Sequence, residues 1–145
     1  RKVLGDQGRA LALLAEEVMA TVRAAPEDLA TEAAALSNAV ALVSETVAVL
    51  GRAAASDRLE DSLANAAVFL EMMGHVVVAW MWLRQAVVAR AALDGATSTR
   101  AAFLDGKIRA CRYFFRWELP RIRPQAALLQ SLDQTCADMP VDSFG

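Results

Sequence analysis

With one histidine, two cysteines, four prolines and seven glycines in 145 residues, the chain is poor in the residues that build most metal and nucleophile sites. Cys111 and Cys136 are far apart and form no C-x-x-C pair, which fits reduced thiols in a cytoplasmic protein rather than a disulfide scaffold or a zinc clip. No glycine-rich phosphate loop is present, and no serine or cysteine matches a motif that supplies an acid–base partner. Large charge of either sign is absent too. The net charge is −2 and the isoelectric point near 5.4, so no basic field draws nucleic acid.

What is abundant is apolar: hydrophobic residues make up 56% of the chain, against a usual ~45–50%. Alanine-rich, glycine-poor composition at this length predicts one all-α domain, residues 1–145. From Leu29 the apolar positions Leu29, Ala33, Leu36, Val40, Val43, Val47, Leu50 and Ala54 alternate steps of four and three, a heptad seam. Pro26, Glu27 and Asp28 suit its first turn. Before it, Leu11, Leu14, Val18 and Val22 predict a helix from about Arg9.

Asp57 with Glu60 gives a capping-box-like start to a third helix. Its seam is read as Leu59, Leu63, Ala66, Leu70, Met73, Val77, Trp80, Arg84, Val87 and Ala91, and it ends at Gly95 in a left-handed cap, with Thr97, Ser98 or Thr99 capping the next helix. The last seam, Leu104, Ile108, Cys111, Phe115, Leu119, Ile122, Ala126 and Leu129, keeps phase through Pro120 and Pro124. It is read as one helix kinked near Pro120, with two helices meeting there as the alternative. Four amphipathic helices on short turns predict an antiparallel up-and-down four-helix bundle. The tail "DMPVDSFG" is expected to be irregular. No signal peptide is evident, and the opening on Arg1 suggests a piece of something longer.

The run "EMMGHVVVAWMWLRQAVVAR" raises three readings. Only twelve residues separate Glu71 from Arg84, too few for a membrane span of ~20, so a helix covered by neighbours is expected. Gly74 costs roughly 1 kcal/mol in mid-helix, and close approach of a neighbouring helix is the expected return. Ala67, Gly74, Met81 and Val88 recur every seven residues. His75 lacks the glutamates a di-iron bundle needs and the polar neighbours a phosphotransfer histidine needs, so a hydrogen-bonded residue near a helix interface is expected.

Basic residues concentrate between Arg100 and Arg123, where seven cations face two carboxylates. At about 100° per residue, Arg109, Arg112 and Arg116 fall within about 60° of one another, in a stripe expected roughly opposite the Ile108–Cys111–Phe115 seam, with Tyr113 and Trp117 on its flank. The simplest reading is a solvated face whose stems cover apolar surface. The alternative is a docking surface that holds carboxylate or phosphate by bidentate bonds.

"NAAVFLEMMGHVVVAWMWLRQAVVA" followed by "FLDGKIRACRYFFRWELPRIRPQAALL", with "RKVLGDQGRAL" at the start, resembles the C-terminal helical extension of long bacterial acyl-CoA dehydrogenases, including those similar to methylmercaptopropionyl-CoA dehydrogenases. The resemblance implies a parent enzyme that uses FAD to oxidise acyl-CoA to enoyl-CoA, a catalytic glutamate removing the α proton as hydride passes to the flavin. It implies that those parts precede this segment, so no catalytic, metal or cofactor-binding residue is assigned here. The implied partners are the catalytic domains of the parent or a sister subunit in a homo-oligomer, with Arg109, Arg112 and Arg116 as docking or CoA-end contacts. A stand-alone helical-bundle interaction or oligomerisation module is the alternative.

Overall fold

Among residues 8–56 and 58–144, which the computed structural model describes, there is no β-strand. Helix α1 (Arg9–Ala24) leads through a 3-10 turn (Glu27–Leu29) into α2 (Ala30–Ala55), then a short α3 (Leu59–Leu63), α4 (Ala66–Ala91), α5 (Ser98–Trp117), a second 3-10 turn (Leu119–Arg121) and α6 (Ile122–Gln130). Five helices thus have nine residues or more, where the sequence predicts four.

The extra helix comes from Pro120. Without an N–H it cannot bond the carbonyl four residues back, and its ring crowds that turn. Accordingly α5 closes with Glu118 N–H donating to the Phe114 carbonyl (2.9 Å), and Arg121 N–H turns back to Glu118 (3.1 Å) before α6 starts. The apolar phase still survives the break, because all eight residues of the predicted seam, Leu104 to Leu129, are buried.

The third predicted helix is also divided. Leu59 and Leu63, its first seam residues, stand exposed on α3. Asn65 then starts α4, its amide donating to the Asp133 carbonyl at 2.8 Å. Asp57, the expected cap, lies outside the described residues.

On α4 the buried stripe is Met72, Val76, Ala79, Leu83, Ala86 and Ala89, so the predicted seam lies to one side of it: Met73, Trp80 and Val87 pack half-buried against the core, while Leu70, Arg84 and Ala91 are exposed. The physical reason is that α4 is apolar nearly all round, which leaves periodicity no contrast with which to pick a face. From Leu29 in the preceding turn the buried stripe continues on α2 through Leu36, Ala39, Val43, Thr46 and Leu50, with Val40 and Val47 half-buried at its edge.

Polar groups staple these layers. Thr46, fully buried, donates to the Leu42 carbonyl (2.8 Å) and accepts from Gln130 Nε2 (3.0 Å), so α6 is hydrogen-bonded to the middle of α2. Trp80 Nε1 donates to Thr21 Oγ1 at 2.7 Å, tying α1 to α4. Gly95 takes φ 81° after α4, the left-handed conformation expected there. Thr97 holds the N-cap position of α5 without a side-chain capping bond. Val141–Phe144 forms a single 3-10 turn within the tail.

Two helical stretches, Glu27–Ala55 and Ala66–Ala91, are long and apolar enough to cross a membrane by length and composition alone. Both also supply much of the buried core.

Candidate functional site

The arginine stripe on α5 does not survive as three free cations. Arg109 Nε donates to Asp105 Oδ2 at 2.6 Å, one turn earlier on the same helix, and this bond and charge raise its pKa further. Arg112 donates to the Asp28 backbone carbonyl at 3.0 Å. It therefore reaches sideways to the turn before α2, and the stripe is not opposite the buried seam as expected. Arg116 is exposed, and of the three it alone makes no hydrogen bond or ion pair among the described residues. Tyr113 and Trp117 stack on each other with ring centroids 6.4 Å apart and both point outward, away from the seam.

Asp28 is a junction that the sequence pattern did not single out. Its carboxylate accepts from Arg90 Nε on α4 at 3.0 Å while its carbonyl holds Arg112, so one short turn is tied to α4 and α5 together. The signal was present only as an acidic residue in a first helical turn, which reads equally well as a dipole partner. An open groove of about 630 Å³ lies beside it, lined by Pro26, Glu27, Asp28, Val87, Arg90 and Asp94 among others. Three carboxylates there face one arginine already paired to Asp28. Such a lining repels a diphosphate, so it fits neither the pyrophosphate of FAD nor the phosphates of CoA.

His75 rests as the sequence suggested. Its Nδ1 lies 2.9 Å from the Glu71 carbonyl and its ring 6.5 Å from that of Phe114 on α5. Among the described residues no three of histidine, cysteine, aspartate and glutamate gather as a metal site would require. Cys111 is fully buried, and burial first, then the nearby Glu32 charge, push its pKa to about 12. Such a thiol is inert as a nucleophile. Cys136 is exposed.

Gly74 overturns its expectation, because a Cβ placed there would meet nothing within 4 Å. Among the described residues no neighbouring helix touches that position. Close by, Lys107 lies over the rings of Trp82 (5.6 Å) and Phe103 (5.5 Å), a cation–aromatic cluster at the α4–α5 boundary that residue spacing did not reveal. Since Lys107 meets Trp82 while Phe114 meets His75, α4 and α5 run in opposite directions.

A family profile described as "Acetyl-CoA dehydrogenase C-terminal like" matches residues 14–140. The chain is also 30% identical over 152 aligned residues to the broad-specificity linear acyl-CoA dehydrogenase FadE5 of Mycobacterium tuberculosis, an alignment that covers 99% of this chain and 25% of that protein. It spans about a quarter of its relative's length. All-helical, with its interior given to packing and matched over nearly its whole length, the chain belongs to the acetyl-CoA dehydrogenase C-terminal-like family.

Proposed function

We propose that this chain is the accessory C-terminal domain of an FAD-dependent acyl-CoA dehydrogenase of the long, methylmercaptopropionyl-CoA dehydrogenase-like type. It forms one domain that packs on the catalytic body or on a sister subunit of a cytoplasmic homo-oligomer, its long helices running up and down. The observation that carries this reading is the alignment, in which 99% of the chain corresponds to only a quarter of an acyl-CoA dehydrogenase. FAD and the acyl-CoA thioester then belong to the remaining three quarters. The groove beside Asp28 repels a diphosphate and no glutamate is matched to a catalytic motif, so no chemical step is assigned to these residues. The two apolar helices act as core elements, since each contributes a stripe of fully buried side chains.

Arg116 is the best candidate for a docking or CoA-end contact, because Arg109 and Arg112 already have partners. The test is to express the protein from the whole gene, reverse Arg109, Arg112 and Arg116 to glutamate singly and together, and measure subunit mass and steady-state kinetics. Arg116→Glu is expected to weaken assembly or raise the KM for acyl-CoA without unfolding the domain. Unchanged mass and kinetics would discard the stripe's role. A purified 145-residue chain that carried flavin or turned over acyl-CoA would discard the accessory reading itself.

The second reading, a stand-alone interaction module, draws on the exposed apolar side chains of α4 and α5. A reading frame that starts just before Arg1 would favour it, whereas several hundred in-frame codons upstream would favour the flavoenzyme.

A further inference from the structure

The outer side of α4 is a second apolar seam with no partner among the described residues. Leu70, Gly74, Met81 and Val88 fall within about 40° of one another at ~100° per residue, opposite the buried Met72 and Leu83. On α5, Phe103, Gly106, Ala110, Tyr113 and Trp117 follow at steps of three and four. The named positions are uncharged, while Arg84 borders the α4 stripe about 40° from Leu70 and Val88 and Lys107 packs over Phe103 on α5. The most apolar stretch of α4 is only 22% buried, yet a helix apolar all round is one that neighbours cover all round. Gly74 and Gly106 sit in these seams, and a Cβ at either would touch nothing within 4 Å. Both weaken their helices without an offsetting contact among the described residues. Because α4 and α5 pack side by side, their outer seams flank one shallow groove, which Lys107 crosses to reach Gln85 Oε1 at 3.4 Å.

We propose that the α4–α5 groove seats a predominantly apolar helix from the catalytic part of the same acyl-CoA dehydrogenase polypeptide, with a bulky side chain lodged over Gly74. This rests on the function proposed above. Size favours that occupant over a free second copy. From Leu70 to Val88 the seam is ~27 Å long at 1.5 Å per residue. Two helices 8–10 Å apart make the face about 20 Å wide, or roughly 1,000 Å² buried counting both sides. That falls short of the ~1,200 Å² at which free partners begin to form stable complexes, but lies within the ~600–1,500 Å² typical of domains joined in one chain. Tethering supplies an effective concentration near millimolar, and the relative has three quarters of its length to provide the helix.

Gly74→Leu and Gly106→Leu test the assignment in two settings, the 145-residue chain and the enzyme expressed from the whole gene. In the chain alone each raises the melting midpoint by roughly 2–4 °C, since helix propensity improves and nothing is displaced. In the enzyme each fills the groove, so thermolysin releases the C-terminal piece about tenfold faster than from wild type, and Val78→Arg does the same by placing a charge on the exposed position one turn after Gly74. Release at the wild-type rate in all three variants would overturn the proposal. A chain that sediments as a dimer split by Gly74→Leu would reassign the groove to a second copy, and binding to phosphatidylcholine vesicles that Val78→Arg abolishes would reassign it to a lipid surface. Either overturns it. A gene with no flavin-domain codons upstream defeats the parent reading and this one together, whereas an intact flavoenzyme indifferent to these substitutions defeats the groove alone.

Discussion

Leu70 and Leu83 lie on the same helix, thirteen residues apart, and the structure gives them opposite fates: Leu83 is 0% exposed and Leu70 73%. Replacing each by alanine deletes the same three carbons. At ~0.8 kcal/mol per buried carbon the transfer loss at Leu83 is ~2.4 kcal/mol, and the cavity left beside Ala79 and Ala86, its neighbours one turn either way, brings the cost to about 3–4 kcal/mol, inside the usual range for buried leucines. At Leu70 only about a quarter of that transfer loss applies, ~0.6 kcal/mol, and the better helix propensity of alanine trims it further. Urea titration of the two variants and the wild-type chain, followed by far-ultraviolet circular dichroism, reads the difference directly. With an m-value of ~1–3 kcal/mol/M, the Leu83→Ala midpoint moves by more than 1 M, while Leu70→Ala stays within a few tenths. Equal losses at the two sites would show that α4 is rotated from its described orientation, or that its outer face is already covered in the isolated chain.

Other outcomes follow from single contacts. Thr46→Val keeps the shape but strands the Gln130 amide, costing ~1–2 kcal/mol; adding Gln130→Met restores part of it, and a double-mutant cycle with no coupling would refute the bond. Trp80→Phe removes the donor to Thr21 and costs ~1 kcal/mol, with α1 the first element cut in limited proteolysis; cleavage unchanged near Thr21 would count against that staple. In native buffer Cys136 reacts with a maleimide and Cys111 only after unfolding, as peptide mass mapping would record. The Cys111 pKa lies above its ordinary 9.0, at about 12. Its contribution to stability is therefore full below pH 9 and is lost as pH rises from 9 toward 12. Cys111→Ala should flatten that alkaline fall, and an identical pH profile would contradict it.

Some of this architecture was legible because charge and apolar residues alternate clearly. On α5 and α6 the seam from Leu104 to Leu129 separates cleanly from arginines and glutamines, so its eight buried positions followed from spacing even though Pro120 split the helix. Gly95 was legible because few other residues tolerate its positive φ. Where contrast failed, the reading slipped: α4 offers valine, methionine, tryptophan or alanine on every side, and the seam chosen from spacing falls on the edge of the core, where Met73, Trp80 and Val87 are half-buried, rather than on its centre. The candidate site was less legible still. Arg109 could be matched to Asp105 by its i,i+4 spacing, but the hold of Arg112 on the Asp28 carbonyl joins positions 84 apart in sequence.

The amino-acid sequence by itself determined the helical class, the phase of the last seam, the poverty of metal and nucleophile chemistry, and the resemblance that points to an acyl-CoA dehydrogenase. Only the tertiary structure decided which side of α4 is core, which arginine of three stays free, and that Gly74 faces outward. The division has a physical cause. Helix formation and amphipathicity are local and repeat along the chain, whereas the choice among equally apolar faces, and the pairing of distant charges, depends on where neighbouring helices happen to lie.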